Sequence, residues 1–405
     1  MSAGSTKIRV QDLSKVFGSA PELALERLDS DLDKDTIFEQ TGSVVAVADV
    51  SFTVGQGEIF VVMGLSGSGK STLVRCINRL IEPSAGALSI DDEDVLGLDR
   101  EQLRQLRLRK VAMVFQHFAL FPHRTVCENV EFGLKIRGVP PDERRERALA
   151  ALDMVGLGAW ADVAPSTLSG GMQQRVGLAR ALAVDPEVLL MDEPFSALDP
   201  LIRRDMQQEL IELQRRLGMT IIFITHDLHE ALTIGDQIAI MKDGRFVQVG
   251  SPEEIVGAPA DPYVASFTQD VDRGRVITAQ RVMRPARTVD EAALSSPSAL
   301  GELGADAGGA LFVIDQGGRP VGLLLAGDLG PNADPATSVR RDFSSAARAT
   351  LLCDLLEPCA QGLPIAVLDE GRLAGIVHPR DVLLELARDS SHAPGGRATP
   401  EASHA

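Results

Sequence analysis

Eight residues, GLSGSGKS at 64–71, carry the most specific chemistry in this chain. Gly64, Gly67 and Gly69 free the backbone N–H groups to turn toward an anion. Lys70 supplies an ammonium for the β- and γ-phosphates of a nucleotide, and Ser71 a hydroxyl for magnesium. Leu65, Ser66, Ser68 and Thr72 complete the loop and the first helical turn behind it. A second anion-friendly stretch lies about a hundred residues on. There Ser169, Gly170 and Gly171 precede the helical-looking VGLARAL, and a helix start offers unpaired N–H groups and a partial positive charge. A plain capped helix would read the same way. Asp192 follows VLLM and is placed to hold magnesium, directly or through water, and Glu193 beside it could act as general base on a water. His226 ends TIIFIT and could face the same rim, or serve as a core histidine.

These side chains need a parallel sheet to bring them together. EIFVVM, then the loop, then STLVRCINRL reads as strand–loop–helix. VLLM at 188–191 and TIIFIT at 220–225 are short apolar runs of the kind buried on both faces of a sheet. Ligands of open α/β sheets sit beyond the carboxyl ends of strands, so three strand ends point chemistry at one rim. Upstream, residues 7–18 read as a short strand, and VVAVADVSFTV at 44–54 alternates like another. Between them, 21–40 has helical spacing at Leu23, Leu28, Leu32 and Ile37, closed by Thr41–Gly42. Residues 100–165 read as helical, with Pro141 opening a helix over 143–154 and Gly156 suiting its end.

The texture changes after about residue 270. The stretch 285–310 is rich in Ala, Ser, Gly and Pro and reads as a loose connection. LFVIDQGGRPVGLLLAGDL at 311–329 and IAVLDEGRLAGIVHPRDVL at 365–383 then form an internal repeat, whose halves should pack together. The first few residues and the tail from Asp389 read as disordered.

At 405 residues, two or three domains are expected. A hydrophobic content of 44% and a charged content of 24% are those of a soluble globular chain. No apolar run is long enough to span a bilayer, and MSAGSTKIRV lacks the apolar core of a signal peptide, so a cytosolic chain is expected. A net charge of −17 argues against nucleic acid as the main partner. The cysteines Cys76, Cys127, Cys353 and Cys359 form no CxxC pair and read as reduced thiols.

In order, GLSGSGKS, Gln116, LSGGM, VLLMDE, SALD at 196–199 and His226 resemble an ATP-binding cassette, covering residues 7 to about 270. The resemblance implies an α/β P-loop NTPase: 1–43 an N-terminal strand and inserted helix, 44–270 the ATPase domain, with a helical subdomain at about 100–170. It implies that Phe17 stacks on adenine. Gln116 lies on the loop that touches magnesium and the attacking water and leans on a membrane subunit. Such cassettes meet head to tail as two copies, with Ser169, Gly170 and Gly171 on the partner's γ-phosphate and Asp199 along the seam. His226 contacts the γ-phosphate beside Glu193. ATP and magnesium are the expected cofactors.

MGLSGSGKSTLVRCINRLIEPSAG, FQHFALFPHRTVCENVEFGL, MDEPFSALDPLIR and QIAIMKDGRFVQVGSPEEI resemble the ATPase subunit of glycine betaine/L-proline importers. That implies membrane permease subunits, a substrate-binding protein or domain reached through them, and a peripheral place on the cytoplasmic side of the membrane. Choline or carnitine remains an alternative cargo. A soluble repair or translation cassette would carry a long coiled coil or two cassettes, and a vestigial sensor would have lost Lys70, Asp192, Glu193 or His226. The insertion at 19–43 separates Phe17 from the next strand, where many cassettes have only a few residues. Residues 275–388 resemble an α+β tandem CBS pair, through VMRP at 282–285, Asp328 and Asp381. The small hydroxyl residue usual three positions after the glycine is replaced by Leu325 and His378, which argues for a structural or ionic-strength role over adenine-nucleotide binding there.

Overall fold

The computed structural model describes residues 5–28, 32–116, 119–196, 198–294, 310–325 and 336–387. Asp328, most of the 285–310 connection and the tail from 389 lie outside them. The chain divides into two compact units, Met1–Thr268 and Gln269–Ala405.

In the first unit, the expected short strand is a long one, β1 (Thr6–Phe17), paired antiparallel with β2 (Val44–Gly55). With β4 (Ala85–Ile90) and β5 (Glu93–Asp94) they form a sheet in the order β2–β1–β4–β5. The larger sheet runs β10–β9–β3–β8–β7–β6. It comprises β3 (Ile59–Met63), β6 (Val111–Val114), β7 (Val188–Asp192), β8 (Thr220–Thr225), β9 (Gln237–Lys242) and β10 (Arg245–Gly250). All neighbours are parallel except β10, which turns back antiparallel to β9. Every residue of β3, β7 and β8 is buried. That is why these strands read as unbroken apolar runs instead of alternating ones. Phe52 of β2 stacks on Phe60 of β3 with centroids 4.7 Å apart, joining the two sheets through one core.

The segment between β1 and β2 holds two helices where the sequence suggested one: α1 (Pro21–Leu28) and α2 (Lys34–Thr41). Asp33 starts the second, its carboxylate accepting from Thr36 N at 2.9 Å, an N-cap signal that breaks the continuous reading. Leu23 is exposed, whereas Ala24, Leu28 and Ile37 are buried against Val16, Val45 and Ala48. Gly42, at φ 63°, closes α2 by donating to Phe38 O.

The region expected to be helical from 100 contains a strand. Helix α3 (Lys70–Ile77) follows the glycine loop and α4 (Arg100–Arg109) leads into β6, which pairs with β7. VAMV is too short for its periodicity to separate strand from helix. The helical layer proper is α5 (Val126–Ile136), α6 (Pro141–Met154) and α7 (Gly170–Leu182). Pro141 occupies the first turn of α6 as expected, and Gly156 adopts φ 70° just past its end. Beyond β7 come α8 (Pro200–Leu217) and, after β8, α9 (Leu228–Ile234). The four cysteines are free. Among the described residues no helix is long and apolar enough to cross a membrane.

In the second unit the repeat appears as two sheets of the same design. One is β11 (Thr288–Asp290), β12 (Ala310–Ile314) and β13 (Pro320–Leu325); the other is β14 (Ser345–Ala347), β15 (Ile365–Asp369) and β16 (Arg372–Val377). Each pairs parallel and then antiparallel. Gly322 and Gly375 occupy matching positions, opposite Val313 and Val367. A Cβ on Gly322 would meet Val339 Cγ1 at 2.2 Å, and one on Gly375 would meet Arg284 O at 2.7 Å. The glycines thus admit an extra strand segment to each sheet, through bridges Leu323–Arg340 and Arg284–Ile376. The segment preceding one repeat therefore docks on the other. Ala310, Phe312, Leu323, Ala366 and Ile376 form the core shared by both repeats.

Candidate active site

A cavity of about 870 Å³ opens at the carboxyl ends of β3, β7 and β8. Lys70, Ser71, Gln116, Glu193 and His226 line it together. The glycine loop leaves β3 with Gly67 at φ 81° and Gly69 at φ 104°, a backbone closed to most side chains. A Cβ on Gly67 would point into open space, whereas one on Gly69 would lie 2.2 Å from Ala46 O. Gly69 is the N-cap of α3 and brings no side-chain cap, so the first N–H groups of that helix keep their donors for an anion. Ser68 Oγ, buried in the loop, has no hydrogen-bond partner among the described residues. Lys70 is almost fully buried and donates to Gly64 O at 2.8 Å and Leu65 O at 3.0 Å. Burial pulls its ammonium below the usual lysine value, and the Glu193 and Asp192 carboxylates oppose that pull. A buried cation beside the uncapped N–H groups that open α3 fits a polyphosphate.

Asp192, the last residue of β7, is 1% exposed. Its Oδ1 accepts from Ser71 Oγ at 2.7 Å and its Oδ2 from Arg75 Nη2 at 3.1 Å. This hydroxyl–carboxylate pair suits a magnesium ion that keeps waters and phosphate oxygens as its remaining ligands. Glu193 sits in the left-handed region at φ 46°, which costs about 1–2 kcal/mol for a residue with a Cβ. Its N–H donates to Ile224 O, and Ser196 Oγ donates to its carbonyl at 3.0 Å. That strained turn aims the carboxylate at the cavity. Glu193 Oε2 lies 3.1 Å from His226 Nδ1 and 3.5 Å from Gln116 Nε2, and Oε1 lies 3.9 Å from Lys70 Nζ.

Not every candidate converges here. Ser169 caps α7, its Oγ accepting from Met172 N at 3.3 Å, and Asp199 caps α8, accepting from Ile202 N at 3.1 Å. A Cβ on Gly171 would meet Ile202 Cγ2 at 2.8 Å, so the two capped helix starts abut. Neither Ser169, Gly170, Gly171 nor Asp199 lines the cavity of its own chain. Phe17 does not line it either: its ring, 42% exposed, lies under Lys15 Nζ at 4.9 Å, beside Val44, which does line it.

Two positioning groups escaped sequence reasoning. Fully buried Asn129 accepts from Phe121 N at 2.7 Å and donates to the carbonyls of Phe121 and Thr125, pinning the chain shortly after Gln116. Buried Glu230 accepts hydrogen bonds from Thr225 Oγ1 and Gln207 Nε2, fixing the turn that carries His226. Burial raises Glu230 above the usual carboxylate value, with those hydrogen bonds opposing it. A polar residue on an otherwise apolar helix face was their only signal.

The family model for ABC transporters matches residues 47–196. The glycine betaine transport ATP-binding protein OpuAA of Bacillus subtilis is 48% identical over 379 residues, spanning 92% of this chain and 90% of that protein. The chain belongs to the ABC transporter family. GbuA of Listeria monocytogenes, a glycine betaine/carnitine transport ATP-binding protein, is 45% identical over 94% of this chain and 98% of its own length. Among solved structures, the dimeric ATP-binding cassette MJ0796 in a post-hydrolysis state bound to ADP and Pi is 33% identical. It covers 60% of this chain and 98% of that one with a TM-score of 0.52. The chain accordingly carries an ATP-binding cassette of the ABC type.

Proposed function

We propose that this chain is the ATP-hydrolysing subunit of an importer for glycine betaine/proline-type solutes, working from the cytoplasmic face of the membrane through separate permease subunits. The observation that carries the reading is the convergence of Lys70, Glu193, His226 and Gln116 on one cavity, in a chain similar almost end to end to glycine betaine transport ATP-binding proteins. In this reading a water adds to the γ-phosphorus, the bond to the β–γ bridging oxygen breaks, and Glu193 takes the water's proton. His226 Nδ1 holds the Glu193 carboxylate in place, Gln116 positions the water, and Lys70 balances charge on the β- and γ-phosphates. Ser71 and Asp192 would hold magnesium, which when bound neutralises phosphate charge. Phe17, at the mouth beside Val44, offers adenine one aromatic face.

Ser169, Gly170 and Gly171 serve the nucleotide of a second copy, with Asp199 along the seam. Their position away from the chain's own cavity supports that use in trans, as does the dimeric state of the similar MJ0796 cassette. ATP then bridges two surfaces and hydrolysis removes the bridge, a population shift driven by differential affinity. The second unit is read as the tandem CBS pair. Asp381 there is already engaged by Arg284, which favours a structural or regulatory part over nucleotide capture.

Uptake of labelled glycine betaine, proline and choline, at low and high external salt, in cells carrying the native protein or Lys70→Ala tests the assignment. Loss of salt-stimulated betaine uptake in the variant is expected. Unchanged uptake of all three, with no redundant importer present, would send the cargo assignment elsewhere.

A further inference from the structure

The insertion between β1 and β2 reaches the ATP cavity. Lys34, Asp35 and Phe38 of α2 line it together with Val44 and Ala46, opposite the catalytic end formed by Gln116, Glu193 and His226. Helix α2 is not a loose flap. Ile37 is fully buried in a small core of its own, Asp33 caps the start through both carboxylate oxygens, and Gly42 closes the end. With Ile37 turned inward, the next residue, Phe38, stands 52% exposed on the cavity side. An apolar ring left that open on a helix anchored at both ends calls for an occupant.

Position identifies the occupant. The phosphate loop touches β2 at Gly69, whose Cβ would lie 2.2 Å from Ala46 O. Gly244 is the next neighbour, where a Cβ would lie 2.9 Å from Ala46 O and 2.7 Å from Lys34 Nζ. Loop, β2, Gly244 and α2 therefore form one continuous wall. A nucleotide with its phosphates on the loop has its sugar and base along that wall. Lys34 and Lys70 are the lysines lining the cavity, which also holds the carboxylates of Asp35, Glu193 and Asp243. Burial lowers the Lys34 ammonium, and nearby Asp243 opposes that effect. Phe17 has its ring under Lys15 and beside the cavity, so Phe38, which lines the cavity itself, adds a second aromatic face on the base side.

Building on the ATP-site reading above, we propose that the inserted helix α2 is a nucleotide-binding element. Phe38 presents an apolar face to the nucleobase and Lys34 places a cation along the sugar–phosphate stretch. The insertion thus contributes to substrate affinity in a part of the cassette outside the six sequence motifs.

The test is calorimetric titration of the full-length protein with ATP and with inorganic tripolyphosphate, which has the charge but no base. Phe38→Ala should weaken ATP binding about tenfold, the lower part of the range for a base–aromatic stack, and leave tripolyphosphate binding within twofold. Phe38→Tyr should restore ATP affinity, and the loss should appear in KM for ATP more than in kcat. Lys34→Gln should weaken both ligands, with the deficit shrinking at high salt. Native-like ATP affinity in Phe38→Ala would overturn the proposal, and so would equal weakening of ATP and tripolyphosphate, the mark of a merely structural role. Lys70→Ala separates the two levels of the argument. If that variant binds ATP as the native chain does, the ATP-site reading fails; if it loses ATP while Phe38→Ala does not, only the role of α2 fails.

Discussion

Replacing Glu193 by Gln isolates one chemical property at the centre of the site. The amide keeps the size of the carboxylate and one oxygen, so the approach to Gln116 Nε2 at 3.5 Å and to His226 Nδ1 at 3.1 Å can be held in form. The backbone strain at φ 46° is the same for both residues, which removes it from the comparison. What disappears is the proton acceptor and the negative charge 3.9 Å from Lys70 Nζ. Loss of a positioned general base costs about 10²- to 10⁴-fold in rate, or about 3–5 kcal/mol of barrier at roughly 1.4 kcal/mol per decade. ATP binding should survive, because Lys70 loses a competing carboxylate and faces the phosphates with Asp192 as its remaining counter-charge. Phosphate release by purified protein, read beside a thermal melt and size-exclusion chromatography with ATP, checks all three parts. The expected pattern is turnover reduced at least about 100-fold, an unchanged melt and a nucleotide-held dimer. Phosphate release above a tenth of the native rate in a normally melting variant would remove Glu193 from the chemistry.

Other expectations follow from packing and charge. Gly69→Ala combines a disallowed φ of 104° with a Cβ 2.2 Å from Ala46 O, so denaturant melts should show a loss of about 2–5 kcal/mol. Gly67→Ala, at φ 81° with open space beyond its Cβ, should lose only the backbone part, about 1–2 kcal/mol; equal losses would refute the steric reading. Lys7, nearly buried, pairs with Asp91 at 2.7 Å and with Glu187. Burial alone would raise Asp91, but hydrogen bonds from Lys7 and Lys110 outweigh it and hold that carboxyl below 3.8. Burial would likewise lower Lys7, but the two carboxylates overcome it and raise the ammonium above 10.5. The Asp91 contribution is present above its unfolded value and fades as pH falls through the depressed folded value. The Lys7 contribution is present below 10.5 and is lost as pH rises through the raised one. Lys7→Gln should therefore lower the melting temperature by a steady amount across neutral pH, with the gap to the native protein closing in strong acid and in strong alkali. A gap independent of pH would refute the ion-pair origin.

The catalytic end was legible because each of its parts has a local signature. β3, β7 and β8 announce themselves as unbroken apolar runs, since both faces of each are covered. Gly64, Lys70 and Ser71 follow the loop spacing a phosphate demands. Where the signal was tertiary, reading failed. VAMV became β6 because Val188 to Met191 offered it a neighbour, a pairing that four residues cannot declare. The break between α1 and α2 lay in one N-cap at Asp33, hidden under apolar spacing that fits a single helix. Asn129 and Glu230 steady the segments beside Gln116 and His226 through hydrogen bonds that only the folded chain brings together, and have no sequence pattern of their own. Phe38 was invisible for another reason: only the packing of Ile37 decides which way its neighbour points.

These two kinds of legibility map onto the two ends of the cavity. Asp192 ends β7, and Glu193 and His226 follow directly on β7 and β8, adjacent buried strands whose displacement would disturb the parallel ladder from β3 to β7. Geometry there is fixed by the sheet, as a proton transfer requires. The opposite end is built from α2, a two-turn helix with its own small core, joined to the cassette through β1 and β2. That end can change in length and side chains without moving Glu193. Rate constants should therefore track the strand ends, and affinity for the nucleotide should track the insertion. A set of α2 variants that changed kcat while leaving KM for ATP untouched would contradict that division, because α2 meets the phosphate loop along the shared wall at Ala46 and Gly244.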